Sequence, residues 1–115
     1  FVFIGWQILH PGEEVPNHRH NSYAIYHILQ GRGYTIVENV KYEWEKGDTL
    51  SCPAWAYHAH YPQGDEDTIM YVVQDMPMLA ASRTLMWEEP EGQENIRHAV
   101  QGASKSWSTT RTDVD

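Results

Sequence analysis

The sequence predicts an all-β fold, a sandwich or a barrel. Residues 1–76 divide into runs of about five residues rich in β-branched and aromatic side chains. Gly, Pro, Asn or Asp punctuates the gaps between them. FVFIGWQIL opens as a strand, and HPGEE ends it through Pro11 and Gly12. SYAIYHIL (22–29) is a second strand, closed by QGRG. YTIVE (34–38) and KYEWE (41–45) flank a turn near Asn39, and Gly47-Asp48 turns the chain into TLSCP (49–53). AYHAHY (56–61) leads into the loop PQGDED, and TIMYVVQ (68–74) completes the set. From Met76 the pattern changes. MPMLAASRTLMW predicts a short helix or an arm lying across the β-domain, with its Met and Leu residues packed. After Trp87 the chain is polar and reads as an extended tail. The expected organisation is a domain over 1–76, followed by an arm and tail over 77–115.

A chain of 115 residues suits one domain with a single modest core. Its aromatic set is skewed, with five Trp and seven Tyr against two Phe. Both favoured rings carry a polar group that suits pocket walls and interfaces, although they also fill small barrels. The net charge of −8, with eight scattered Lys and Arg, excludes a phosphate-reading nucleic-acid face. No apolar run reaches the roughly 20 residues needed to span a bilayer, so no membrane partner is expected. There is no signal-peptide pattern, and the lone Cys52 forms no internal disulfide. A cytoplasmic location is expected.

The histidines carry the chemistry. His18 and His20 are two apart, which on a strand puts both imidazoles on one face, roughly 7 Å apart along the chain. So placed, they can converge on one ion. H-x-H alone is a weak signal, because histidines also decorate strand ends. A second element raises it: GDTLSCPAWAYHAH brings His58 and His60 from a distant strand, and a third ligand is what a two-ligand site needs.

These residues resemble the cupin superfamily over roughly residues 1–76. A first motif of the form G-x5-H-x-H is matched by Gly12, His18 and His20, with Gly31 beyond. A second, G-x5-P-x4-H, is matched by Gly47, Pro53 and His58. PNHRHNSYA and GDTLSCPAWAYHAH are closer still to the ring-cleaving dioxygenases of the gentisate and salicylate 1,2-dioxygenase type. The second match is specific, because it also fixes Trp55 and His60.

The resemblance implies a jelly-roll β-barrel with iron(II) held by His18, His20 and His58. Ala24 stands where most cupins have a Glu, and a small apolar residue there is characteristic of the ring-cleaving members. Tyr26 departs from the pattern, since gentisate-type enzymes tend to place an Arg there, suited to gripping a carboxylate. Ala59 stands where an acidic residue is often found. Cupin barrels commonly dimerise, and a homodimer is expected.

Three neutral imidazoles leave Fe²⁺ its full double charge, which favours an anionic chelating substrate. They also leave about three octahedral positions for a chelate and O₂. Zn, Mn, Ni and Cu are the alternative ions, and three His with a water is sound zinc chemistry.

Strand alternation places Tyr26 and Ile28 on the face of Ala24 and turns His27 away, as a structural or interfacial residue. His60 shares the face of His58, as an acid, base or substrate-orienting group or as a rim histidine in water. Trp55 is expected to wall the pocket and stack on substrate. Either Trp6 or Gln7 should face the cavity. Cys52 reads as a small buried apolar residue. Arg19 should point outward to an acid such as Glu13 or Glu14.

The expected function is an Fe(II)-dependent dioxygenase that opens the ring of a hydroxylated aromatic acid, with a small aromatic substrate and O₂ as its partners. The alternatives are cleavage of a β-diketone or hydroxyketone, metal-assisted isomerisation, and a non-catalytic small-molecule-binding barrel.

Overall fold

The computed structural model describes residues 2–90 and the backbone course of 96–98. Among the described residues, ten strands and one short helix follow in order. They are β1 (Phe3–Leu9), β2 (Val15–His20), β3 (Ala24–Gln30), β4 (Arg32–Val37), β5 (Val40–Glu45), β6 (Thr49–Cys52), β7 (His58–Gln63), β8 (Thr68–Gln74), α1 (Met76–Ala81), β9 (Met86–Glu88) and β10 (Ile96–His98). Two antiparallel sheets form the expected β-fold, one in the order β1-β8-β3-β6 and the other β10-β9-β2-β7-β4-β5.

Side-chain alternation explains where the core lies. On β3, Ala24, Tyr26 and Ile28 are buried while Ile25 is exposed. Ala24 pairs with Cys52 on β6, and Tyr26 with Val72 on β8; directly opposed residues share a face. These residues, with Trp44 and Met70, make one packed cluster between the sheets. Met76, Ala80 and Leu85 make a second, with Leu79 and Trp87 packed against it. Of the short helix or arm expected from Met76, a helix is present, with Pro77 in its first turn, where a missing N–H costs nothing.

Most turns fall where Gly, Asn and Asp suggested. Glu38 and Asn39 both have positive φ, 46° and 68°, which fits the tight link between β4 and β5. Gly31 joins β3 to β4 at φ 96°, where a Cβ would lie 2.7 Å from Thr68 Oγ1.

Two elements were not legible in advance. β9 pairs with β2, Arg19 opposite Glu88 and His20 opposite Trp87. β10 pairs in turn with β9. The arm after α1 therefore extends the sheet that carries the histidines. Apart from β9 and the backbone of β10, the expected polar tail lies outside the described residues from 91 onward.

Candidate metal centre

His18 and His20 occupy alternate positions at the end of β2, and His58 begins β7, the neighbouring strand, directly opposite His18. All three are buried. One ring nitrogen from each lies within 4.8 Å of the others.

The backbone sets which nitrogen that is. His18 Nδ1 lies 2.7 Å from the Pro16 carbonyl, His20 Nδ1 2.9 Å from the Ser22 carbonyl, and His58 Nδ1 2.9 Å from the Ala56 carbonyl. A carbonyl only accepts, so each Nδ1 carries the proton and each Nε2 keeps a lone pair. His58 Nε2 is buried with no hydrogen-bond partner. An orphaned acceptor of this kind costs free energy unless something binds it.

Burial also keeps the rings neutral. Desolvation, then the neighbouring imidazoles, lowers His18 to a pKa of about 3 and His20 to about 4, against partial opposition from their backbone hydrogen bonds. His58 is lowered by the same desolvation. Neutral imidazoles with ordered Nε2 atoms are what a divalent ion requires, so the residues fit a three-histidine metal set.

The inner wall is apolar and neutral. Ala24 is fully buried on β3, where it offers no ligand atom. Tyr26 faces inward, 5% exposed, and its ring lies 4.7 Å from that of His60. Burial pushes the Tyr26 phenol upward, so it stays protonated at neutral pH. His60 is buried on the face of His58, not on a wet rim. Its Nδ1 is 2.8 Å from Thr35 Oγ1, which also accepts the Trp44 indole N–H at 2.8 Å. Desolvation lowers His60 to about 3, and its Nε2 is buried without a partner.

Other expectations need correction. Trp6 lies on the outer face, 64% exposed, edge-on to Tyr71. Register explains it: Trp6 pairs with exposed Tyr71, whereas Gln7 pairs with buried Met70. Gln7 is thus the one of the two that faces inward. Trp55 carries the Arg19 guanidinium, 4.2 Å from its ring centre, on the outward side of β2. Its φ of 65° is uncommon for a bulky residue, and its N–H donates to the His20 carbonyl at 2.7 Å, tying this loop to β2. Arg19 does point outward, but its acid is Glu88, not Glu13 or Glu14. Glu13 instead accepts the backbone N–H of His10. Tyr57 also donates to Glu88 at 2.8 Å, and that bond, with Arg19, lowers the Glu88 pKa. His27 lies on the outer side of β3, with Nδ1 2.8 Å from Thr49 Oγ1. Cys52 is buried, and desolvation raises its thiol to about 12.

The tryptophan at the histidines is Trp87. Its ring stacks on His18 at 4.6 Å and 4°, and lies 5.2 Å from His20. Its Nε1 is buried without a partner. A polar surface groove bounded by Arg32, Lys41, Glu43 and Glu45 includes none of the histidines.

Comparison with known proteins agrees with this geometry. The chain is 53% identical over 110 residues to a 5-nitrosalicylic acid 1,2-dioxygenase of Bradyrhizobium sp., covering 96% of this chain and 53% of that protein. It is 35% identical over 79 residues to a gentisate 1,2-dioxygenase of Ralstonia sp., covering 68% of this chain and 22% of the other. The chain thus spans about half, or less, of the length of these relatives. The crystal structure of a salicylate 1,2-dioxygenase from Pseudaminobacter salicylatoxidans superposes with a TM-score of 0.74 at 25% identity, over 82% of this chain and 27% of that one. The model of the family described as "Cupin domain" matches residues 5–74. With two antiparallel sheets around a buried histidine set, the chain belongs to the cupin family.

Proposed function

We propose that this chain is the catalytic barrel of an Fe(II)-dependent dioxygenase that opens the ring of a salicylate-like hydroxylated aromatic acid. The observation that carries the reading is the all-nitrogen set: one ring nitrogen from each of His18, His20 and His58 lies within 4.8 Å of the others, while Ala24 contributes no ligand atom. The relatives named for salicylate and gentisate oxidation support the same class.

His18, His20 and His58 would hold the ion. When bound, it would supply one centre at which a phenolate–carboxylate chelate and O₂ react side by side. The chain's own residues then select the chelate. The five Lys and Arg among the described residues (Arg19, Arg32, Lys41, Lys46, Arg83) all lie at the surface or only half-buried. None of these five therefore grips a carboxylate inside the barrel, and in this reading a substrate's negative charge is met at the metal seat. Tyr26 offers a neutral hydroxyl donor. Ala24, Ile28 and Met70 supply an apolar wall that excludes water. His60, aligned through Thr35, would orient substrate or move a proton at Nε2. Gln7 adds an inward polar group.

The outer face of β1, β8 and β3 presents Ile4, Trp6, Ile8, Tyr71 and Ile25 to solvent, which supports a homodimer. Unpaired, buried Cys52 supports a reducing, cytoplasmic setting. No described helix is long and apolar enough to cross a membrane.

The test is O₂ uptake by anaerobically Fe(II)-loaded protein with a panel of salicylate, its nitro and amino derivatives, and gentisate. Consumption with stoichiometric loss of the aromatic absorbance is expected for at least one hydroxybenzoate. Binding without O₂ consumption across the whole panel would overturn the reading.

A further inference from the structure

We propose that Cys52, His58 and His60 form a second metal seat inside the barrel. It takes a thiophilic ion such as Zn²⁺ or Cd²⁺ and, by using His58, excludes an ion from the three-histidine set. One ligand atom from each of these residues lies within 4.8 Å of the others, the same limit that encloses the His18, His20 and His58 set. Both clusters are fully formed by buried side chains, and His58 belongs to both.

Three elements build the new seat. Cys52 ends β6 opposite Ala24, so its thiol points into the barrel. His58 and His60 stand two apart on β7 and share that inner face. Each spends Nδ1 on the protein, His58 on the Ala56 carbonyl and His60 on Thr35 Oγ1. Thr35 Oγ1 has two lone pairs, so it can accept from His60 as well as from Trp44. That leaves two buried, unpartnered Nε2 atoms, one on His58 and one on His60. The three-histidine set satisfies only the first. An ion between Cys52 and β7 satisfies both.

The donor chemistry separates the two seats. Three imidazoles suit Fe²⁺ and its neighbours, whereas one thiolate with two imidazoles favours Zn²⁺, Cd²⁺ or Cu⁺. Binding replaces the Cys52 proton by the metal and releases that proton to solvent; no electron is transferred. Because His58 has one Nε2 lone pair, the two seats hold one ion between them. A thiophilic ion would therefore inhibit by taking a ligand from the iron set, and it would also occupy the His60 nitrogen proposed above to face substrate.

The experiment titrates the metal-free full chain with Cd²⁺. It follows the ultraviolet thiolate-to-cadmium charge-transfer band, and equilibrium dialysis gives the stoichiometry. One Cd²⁺ per chain with that band is expected. Cys52→Ala and Cys52→Ser should lose the band, and Cd²⁺ affinity should fall by at least about tenfold, since loss of a group that only supports a ligand already costs that much. Both variants should bind Fe²⁺ as the parent does, with circular dichroism confirming the fold of each. In Fe²⁺-loaded parent protein, each Cd²⁺ bound should release one Fe²⁺. Cadmium binding without the band, two ions per chain, or unchanged Cd²⁺ affinity in the folded Cys52 variants would overturn the proposal. The exclusion step rests on the three-histidine seat proposed above. Failure of that seat shows separately, as protein that binds Cd²⁺ with the band but takes no Fe²⁺.

Discussion

Trp87 lies flat against His18, and its indole N–H is buried without a partner. The stack fixes the plane of the His18 ring, which the Pro16 carbonyl fixes only at one edge. Groups that orient ligands in this way commonly contribute 10–100-fold to metal affinity. Trp87→Leu should therefore lower Fe²⁺ affinity by about tenfold in a chelator-competition assay, while Trp87→Phe, which keeps a stacking ring, should stay within about threefold of the parent. Equal losses in both variants would point to the N–H, and no loss in either would remove the positioning role. The sequence offered little warning of this residue. Met86–Glu88 is too short for alternation to show, and Trp87 sits where an apolar arm meets a polar tail. The grouping of His18, His20 and His58 was readable because H-x-H on a strand and a His at a set distance from Gly47 and Pro53 carry their own geometry. Trp55 was misjudged because its positive φ and its contact with Arg19 depend on how the loop meets β2.

Between elements, the tightest fit lies where β4 passes between β5 and β7. Gly33 faces Trp44 on one side and Pro62 on the other. A Cβ there would collide with the Tyr61 carbonyl and come within 2.5 Å of the Trp44 ring. The backbone cannot move aside without disturbing the ladder. Trp44 in turn holds Thr35, which holds His60. Gly33→Ala should thus destabilise the protein by about 1–3 kcal/mol, seen as a lower denaturation midpoint at unchanged m-value. A midpoint equal to the parent's would show that the sheets yield at this crossing. Strand order could not be read from the sequence at this scale. The runs and turns were visible, because Gly, Asn and Asp mark them. The pairing of β9 with β2 was not: it depends on Glu88 reaching Arg19 and on Trp87 reaching the histidines, contacts about seventy positions apart along the chain.

For the molecule as a whole, the two faces of the β1-β8-β3-β6 sheet are unlike in role but alike in apolarity. The inner face closes the core. The outer face carries Ile4, Trp6, Ile8, Ile25 and Tyr71, each more than a third exposed. Register makes them one surface: Ile4 and Ile25 both oppose Val73, and Trp6 opposes Tyr71, which opposes His27. A patch of this kind on a chain of net charge −8 gains by covering itself with a copy, since apolar burial is not opposed by charges within the patch. Sedimentation velocity at micromolar concentration should show a dimer. Trp6→Lys would set like charges near a two-fold axis and return the protein to a monomer with its fold intact by circular dichroism. If the parent sediments as a monomer at these concentrations, the face does not serve self-association. If Trp6→Lys stays dimeric, the contact lies on another surface. Gln7, one residue along β1, faces the opposite side of the sheet, so Gln7→Ala should leave the dimer unchanged and serves as the control for β1 itself.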